Sequence, residues 1–102
     1  MEQVQILGRE AESLNIALSG DIDLGNAEAF YNEVMLAYRE MPMHISFNCE
    51  KLTFIDSTTL GTFVKILKMA KTDGYAVRLT NLQPKIKKLF TICSLDKIIQ
   101  LD

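Results

Sequence analysis

The chain has 102 residues, enough for one domain with its own core but not for two. Hydrophobic residues make up 48% and charged residues 24%, the balance of a globular protein rather than a disordered one. A net charge of −2 argues against a basic nucleic-acid-binding face, and no apolar run approaches the roughly 20 residues of a membrane span.

The apolar pattern changes period several times along the chain. Val4 and Ile6 alternate with Gln3 and Gln5, and Leu14, Ile16 and Leu18 alternate with Asn15, Ala17 and Ser19. Each is a strand period, and the polar stretch from Gly8 to Ser13 joins the two as a hairpin. Ala27, Phe30, Val34, Ala37 and Met41 then recur at helical spacing, with Asn26 as N-cap, Glu28 in the first turn and Met41-Pro42 as the stop. Ile45 and Phe47 begin a third strand whose inward face continues to Cys49. A second helix starts near Ser57, places Leu60, Phe63, Val64 and Leu67 on one face, and closes at Asp73-Gly74. Val77 and Leu79 form a fourth strand. Pro84 opens a third helix, where its missing N–H has no intrahelical partner to lose, and Ile86, Leu89, Phe90 and Cys93 make its apolar stripe. Lys85, Lys87 and Lys88 fall off that stripe as a solvated face, and Ile98 and Ile99 end the chain as a short strand or packed tail.

The order predicts a single α/β domain over residues 1–102. Its sheet is mixed, of four to five strands, antiparallel at the opening hairpin and parallel across right-handed crossovers, with the helices mainly on one face.

The segment Phe54-Ile55-Asp56-Ser57-Thr58-Thr59-Leu60-Gly61 carries the chemical signal. An apolar strand ends there, polar residues turn the chain, and a helix begins. Asp, Ser and Thr are good caps for the unpaired N–H groups of a helix start, so Asp56-Ser57 has a purely structural explanation. Beyond the core stripe, Thr59, Thr62, Ile66 and Met69 form a second, uncharged stripe where a solvent face would carry charges. Two explanations stand equal on the sequence: a docking surface running on from Ser57, or packing beneath a neighbouring element.

The same segment resembles the Asp-Ser-Ser-Gly-Leu-Gly signature of STAS-domain anti-sigma factor antagonists. Gly20-Asp21-Ile22-Asp23 resembles that family's Gly-Glu-Leu-Asp, Asn81-Leu82-Gln83-Pro84 the loop opening its last helix, and Leu95-Asp96-Lys97-Ile98-Ile99 its closing segment. The resemblance covers nearly the whole chain, with the motifs in order. It implies the STAS fold and a partner switch without chemistry of its own. The unmodified antagonist binds an anti-sigma factor that is also a serine kinase, phosphorylation of the signature serine releases it, and a serine phosphatase resets it. By position the acceptor is Ser57, and the partner-binding residues are Asp21, Asp23, Asp56, Ser57, Thr58, Thr59, Thr62, Ile66 and Met69. Thr59 stands where the family has Gly and adds bulk beside the acceptor; Thr58 and Thr59 are themselves possible acceptors. Ser94 stands where many members have Gly, at a cost in the left-handed conformation.

No catalytic group, metal site or cofactor is expected, nor a nucleic-acid or membrane partner, and the domain is expected to be a monomer. The N-terminus lacks a basic-then-apolar leader, which points to the cytoplasm, with Cys49 and Cys93 as buried free thiols. His44 reads as a strand-end residue, and Tyr31, Tyr38 and Tyr75 as amphipathic packing residues. Two other functions are weighed: a STAS module of a transporter or scaffold assembly that is never phosphorylated, and, more remotely, a small hydrolase with Ser57 as nucleophile and His44 as the only imidazole base.

Overall fold

The computed structural model describes all residues, 1–102. Five strands form one sheet in the order β1 (Val4–Glu10), β2 (Ser13–Ile22), β3 (His44–Ile55), β4 (Val77–Thr80) and β5 (Gln100–Leu101). The β1–β2 pair is antiparallel and every later pair is parallel. Helices α1 (Ala27–Glu40), α2 (Ser57–Thr72) and α3 (Pro84–Ile92) make the three parallel connections, and a single 3-10 turn, Leu95–Lys97, precedes β5.

Alternation along the central strands decides which face is covered. Leu14, Ile16 and Leu18 on β2 and Ile45, Phe47 and Cys49 on β3 are fully buried, whereas Asn15, Ala17, Ser46 and Asn48 between them stay partly exposed. A run of edge-on rings ties all three helices to the covered face. Phe63 of α2 lies 5.2 Å from Phe30 of α1, 5.5 Å from Phe47 of β3 and 5.5 Å from Phe90 of α3, centroid to centroid. The opposite face, lined by Asn15, Ser46, Asn48 and Thr80, is polar and open.

Several element ends differ from the sequence expectation, each for a local reason. The hairpin is tighter: β1 and β2 reach Glu10 and Ser13, leaving only Ala11 and Glu12 in the turn, both at positive φ (53° and 67°). Strand β3 runs six residues past Cys49, because register shifts against β2 reset the pattern so that Leu52 and Ile55 face inward. Cys93 is exposed rather than buried, since α3 ends at Ile92 and Ser94 turns left-handed (φ 59°), carrying the Cys93 side chain off the apolar stripe. The final strand starts at Gln100; Ile99 packs into the core and Ile98 stays out. Gly74, at φ 87°, closes α2 as its spacing predicts, donating its N–H to the Lys71 carbonyl.

Candidate functional site

The β2–α1 loop and the start of α2 meet at one end of the sheet, because β2 and β3 run parallel and end side by side at Ile22 and Ile55. Asp56 holds the two together. Its backbone is extended, as an N-cap requires, and its Oδ1 accepts the Thr59 N–H at 3.0 Å. Its Oδ2 accepts the Leu24 N–H, from the other loop, at 2.9 Å. The Thr59 N–H above all, with the Leu24 and Thr58 N–H groups adding to it, holds the Asp56 carboxyl below its ordinary value of 3.8, against an opposing desolvation second in size only to the Thr59 N–H.

The remaining acidic residues build the loop. Asp23 Oδ1 accepts the Gly25 N–H at 2.9 Å, and a β-carbon at position 25 would stand 3.2 Å from that oxygen, so a side chain there would press the carboxylate back by a few tenths of an ångström. Asp21 Oδ1 accepts the Thr53 hydroxyl at 3.0 Å. Asn26 occupies the N-cap position of α1 without a side-chain capping bond to that helix. Its Oδ1 instead accepts the Asp23 N–H at 2.8 Å and its Nδ2 donates to the Asp21 carbonyl at 3.0 Å. The Asp23 carbonyl accepts from Asn26 and Ala27, opening α1.

Ser57 is the first residue of α2 and is exposed, and Thr58 beside it is exposed too. Their N–H groups belong to the first turn, where no intrahelical carbonyl is available, at the positive end of the helix dipole. Thr59 is different. It is fully buried, its hydroxyl donates to the Ile22 carbonyl at 2.5 Å, and the same oxygen lies 3.1 Å from Asp56 Oδ1. The threonine that replaces the expected glycine therefore points inward and joins β2 to α2. It adds no bulk beside Ser57 and offers no exposed hydroxyl.

The second stripe of α2 is also internal. Ile66 is fully buried, Thr62 is 8% exposed with its hydroxyl donating to the Thr58 carbonyl, and Met69 is half-buried against the core. The docking explanation fails for these residues. The helix lies over the sheet with α1 along one side, so its buried arc is wider than a two-layer contact would give, while Leu60 and Val64 are only half-buried. The face of α2 left to solvent carries Ser57, Thr58, Gly61, Lys65 and Lys68. Lys65 stands 4.4 Å over the Tyr31 ring of α1.

Of the expected site residues, Asp21, Asp23, Asp56, Ser57 and Thr58 come together at this end, whereas Thr59, Thr62, Ile66 and Met69 do not reach the surface as a patch. Leu24, whose backbone N–H the Asp56 carboxylate holds, lies at the same end, and no local pattern in the sequence marks it. His44 begins β3 at the opposite end of the strand from Ser57, on the order of 30 Å away at the rise of a strand, and its Nδ1 accepts the Ala76 N–H at 3.0 Å. It cannot serve Ser57 as a base, which removes the hydrolase arrangement. No helix is long and apolar enough to cross a membrane.

Comparison with known proteins bears on the family and the fold. A family model described as STAS domain matches residues 5–102. The anti-sigma-B factor antagonist of Bacillus subtilis (strain 168) is 30% identical over 88 residues, which span 86% of this chain and 80% of that protein. Two solved structures share the fold. SpoIIAA of Bacillus in its phosphorylated form gives a TM-score of 0.76 at 22% identity, covering 97% of this chain and 90% of that one. An anti-sigma factor antagonist from Mycobacterium paratuberculosis gives 0.80 at 18% identity, covering 96% and 82%.

Proposed function

The chain belongs to the STAS domain family, and from that premise we propose that it is an anti-sigma factor antagonist whose hold on its partner is governed by phosphorylation of Ser57. The partner is an anti-sigma factor that is also a serine kinase, binding the unmodified chain in the cytoplasm. Phosphorylation releases the chain and a serine phosphatase restores it. The protein itself catalyses nothing.

One observation carries this reading: an exposed serine hydroxyl stands on the first residue of α2, next to a carboxylate whose two oxygens are already engaged. A phosphoryl group there brings a charge of about −1.5 to −2 and three acceptor oxygens. Asp56 takes the Thr58 and Thr59 N–H groups, which leaves the Ser57 N–H and a favourable dipole at the helix start, so the domain keeps its fold. The effect falls on the partner. Asp56 is adjacent and ionised, so the dianion makes the patch sharply more acidic, and a surface fitted to a neutral hydroxyl meets bulk and uncompensated charge. A penalty of about 1.4 kcal/mol shifts the equilibrium tenfold.

Incubation of the chain with its cognate kinase and ATP tests this by mass spectrometry. A gain of one phosphate that disappears in Ser57→Ala is the expected outcome. An unchanged mass supports instead a STAS module that is never phosphorylated, of the transporter or scaffold type. Retention of the phosphate in Ser57→Ala would move the acceptor to Thr58, the other exposed hydroxyl of the turn.

A further inference from the structure

We propose that Leu24 is the apolar anchor by which the anti-sigma factor takes hold of this chain, its side chain entering an apolar socket of the partner beside Ser57. The inference rests on the antagonist reading above and names a contact that reading does not contain.

Leu24 is 76% exposed, the most exposed of the large hydrophobic side chains in the molecule. Single exposed leucines are ordinary on protein surfaces. What sets this one apart is the effort spent on holding it. The loop that carries it is fixed by four hydrogen bonds: Leu24 N–H to Asp56 Oδ2, Gly25 N–H to Asp23 Oδ1, Asp23 N–H to Asn26 Oδ1, and Asn26 Nδ2–H to the Asp21 carbonyl. A rigid loop that presents an apolar side chain to water gains nothing for the fold from that side chain. It does lower the ordering cost of binding, because the anchor is already in place.

Position names the occupant. Leu24 and Thr58 line one cavity of about 400 Å³ between α1 and α2, so the leucine stands beside the residue that follows Ser57. Its backbone is bonded to the carboxylate that precedes Ser57. A protein that approaches the Ser57 hydroxyl therefore meets Leu24 in the same encounter. Charge selects the chemistry. The Asp23 and Asp56 carboxylates are engaged by loop and helix N–H groups, and the cavity walls carry one acid, Glu28 on α1, and one base, Lys65 on α2. A groove of balanced charge around a protruding leucine fits an apolar socket rather than a strongly charged surface. Leu36 and Ile92 are nearly as exposed, at 71% and 67%, but they sit on the outer faces of α1 and α3 with no bond to the Ser57 turn.

The test is calorimetric titration of the purified cognate anti-sigma factor with wild type, Leu24→Ala, Leu24→Met and Leu24→Asp, with Ser57→Asp as control and melting curves for each. Burial of a leucine in a socket predicts that Leu24→Ala weakens binding by about ten- to a hundredfold and Leu24→Asp by more, with melting temperatures unchanged. Leu24→Met should bind nearly as wild type, since it conserves apolar volume. Wild-type affinity in Leu24→Ala and Leu24→Asp, alongside release by Ser57→Asp, overturns the anchor and leaves the antagonist reading standing. A large fall in the melting temperature of Leu24→Ala also overturns it, by showing a structural role. Failure of wild type to bind the anti-sigma factor at all removes both.

Discussion

Replacing Thr59 by valine keeps the shape of the side chain and removes one oxygen. In the native chain that oxygen is fully buried and donates to the Ile22 carbonyl at 2.5 Å, across the junction of β2 and α2. Without it, the carbonyl loses this donor in a place water does not reach, at a cost of about 1–3 kcal/mol. For a domain of this size each kcal/mol is worth several degrees, so the melting temperature should fall by roughly 5–20 °C. Thr59→Ser separates the hydroxyl from the methyl, since it keeps the donor and loses one buried carbon, worth about 0.8 kcal/mol. The Asp56 cap on the Thr59 N–H is common to all three proteins. Thermal and urea unfolding of wild type, Thr59→Val and Thr59→Ser should therefore rank wild type first, Ser next and Val last. A Val variant as stable as wild type, or a Ser variant less stable than Val, would refute the reasoning, because packing rather than the hydroxyl would then secure the junction.

Asp56 sets an acid limb of the stability curve. Its folded-state pKa lies below the ordinary 3.8, so its contribution is complete above that value and is lost as pH falls through the lower folded value. The advantage of wild type over Asp56→Asn in urea midpoint should thus hold from about pH 7 to about pH 5 and shrink as pH falls below about 4, and a constant difference down to about pH 2 contradicts it. The hairpin turn holds Ala11 and Glu12 at φ 53° and 67°, which favours Asn and Gly. Replacing the pair by Asn-Gly should stabilise the chain by about 1–2 kcal/mol in urea melts, and no gain would show that the turn relaxes. Burial pushes the Cys49 thiol up to about 12, whereas Cys93 is exposed. A thiol reagent should therefore label one cysteine in the folded chain, Cys93, and the second only in denaturant; prompt labelling of both contradicts the fold.

The legible parts of this protein are those with a period or a cap. The alternation in β1 and β2, the spacing of Phe30 and Val34, and the residues around Asp56-Ser57 each report a local rule, and the structure obeys them. The Thr59, Thr62, Ile66 and Met69 stripe was ambiguous because an uncharged helix face looks alike whether a partner or a neighbouring helix covers it. Only the placement of α1 against α2 decides, and that depends on packing of distant residues such as Phe30 and Phe63. The far half of β3 was hidden because register shifts break the alternation at Glu50 and Lys51. Cys93 misled because its spacing continues the stripe one residue beyond the last turn of α3. Within the site, the serine and its cap were visible as sequence neighbours. The bond from Leu24 to Asp56 crosses 32 positions and leaves no local trace.

The affinity of the purified anti-sigma factor for this chain, measured with the chain unmodified and with it stoichiometrically phosphorylated on Ser57, tests the account most directly. The account predicts that the unmodified chain binds and that the modified one binds at least about tenfold more weakly. Equal affinities for the two forms would contradict it.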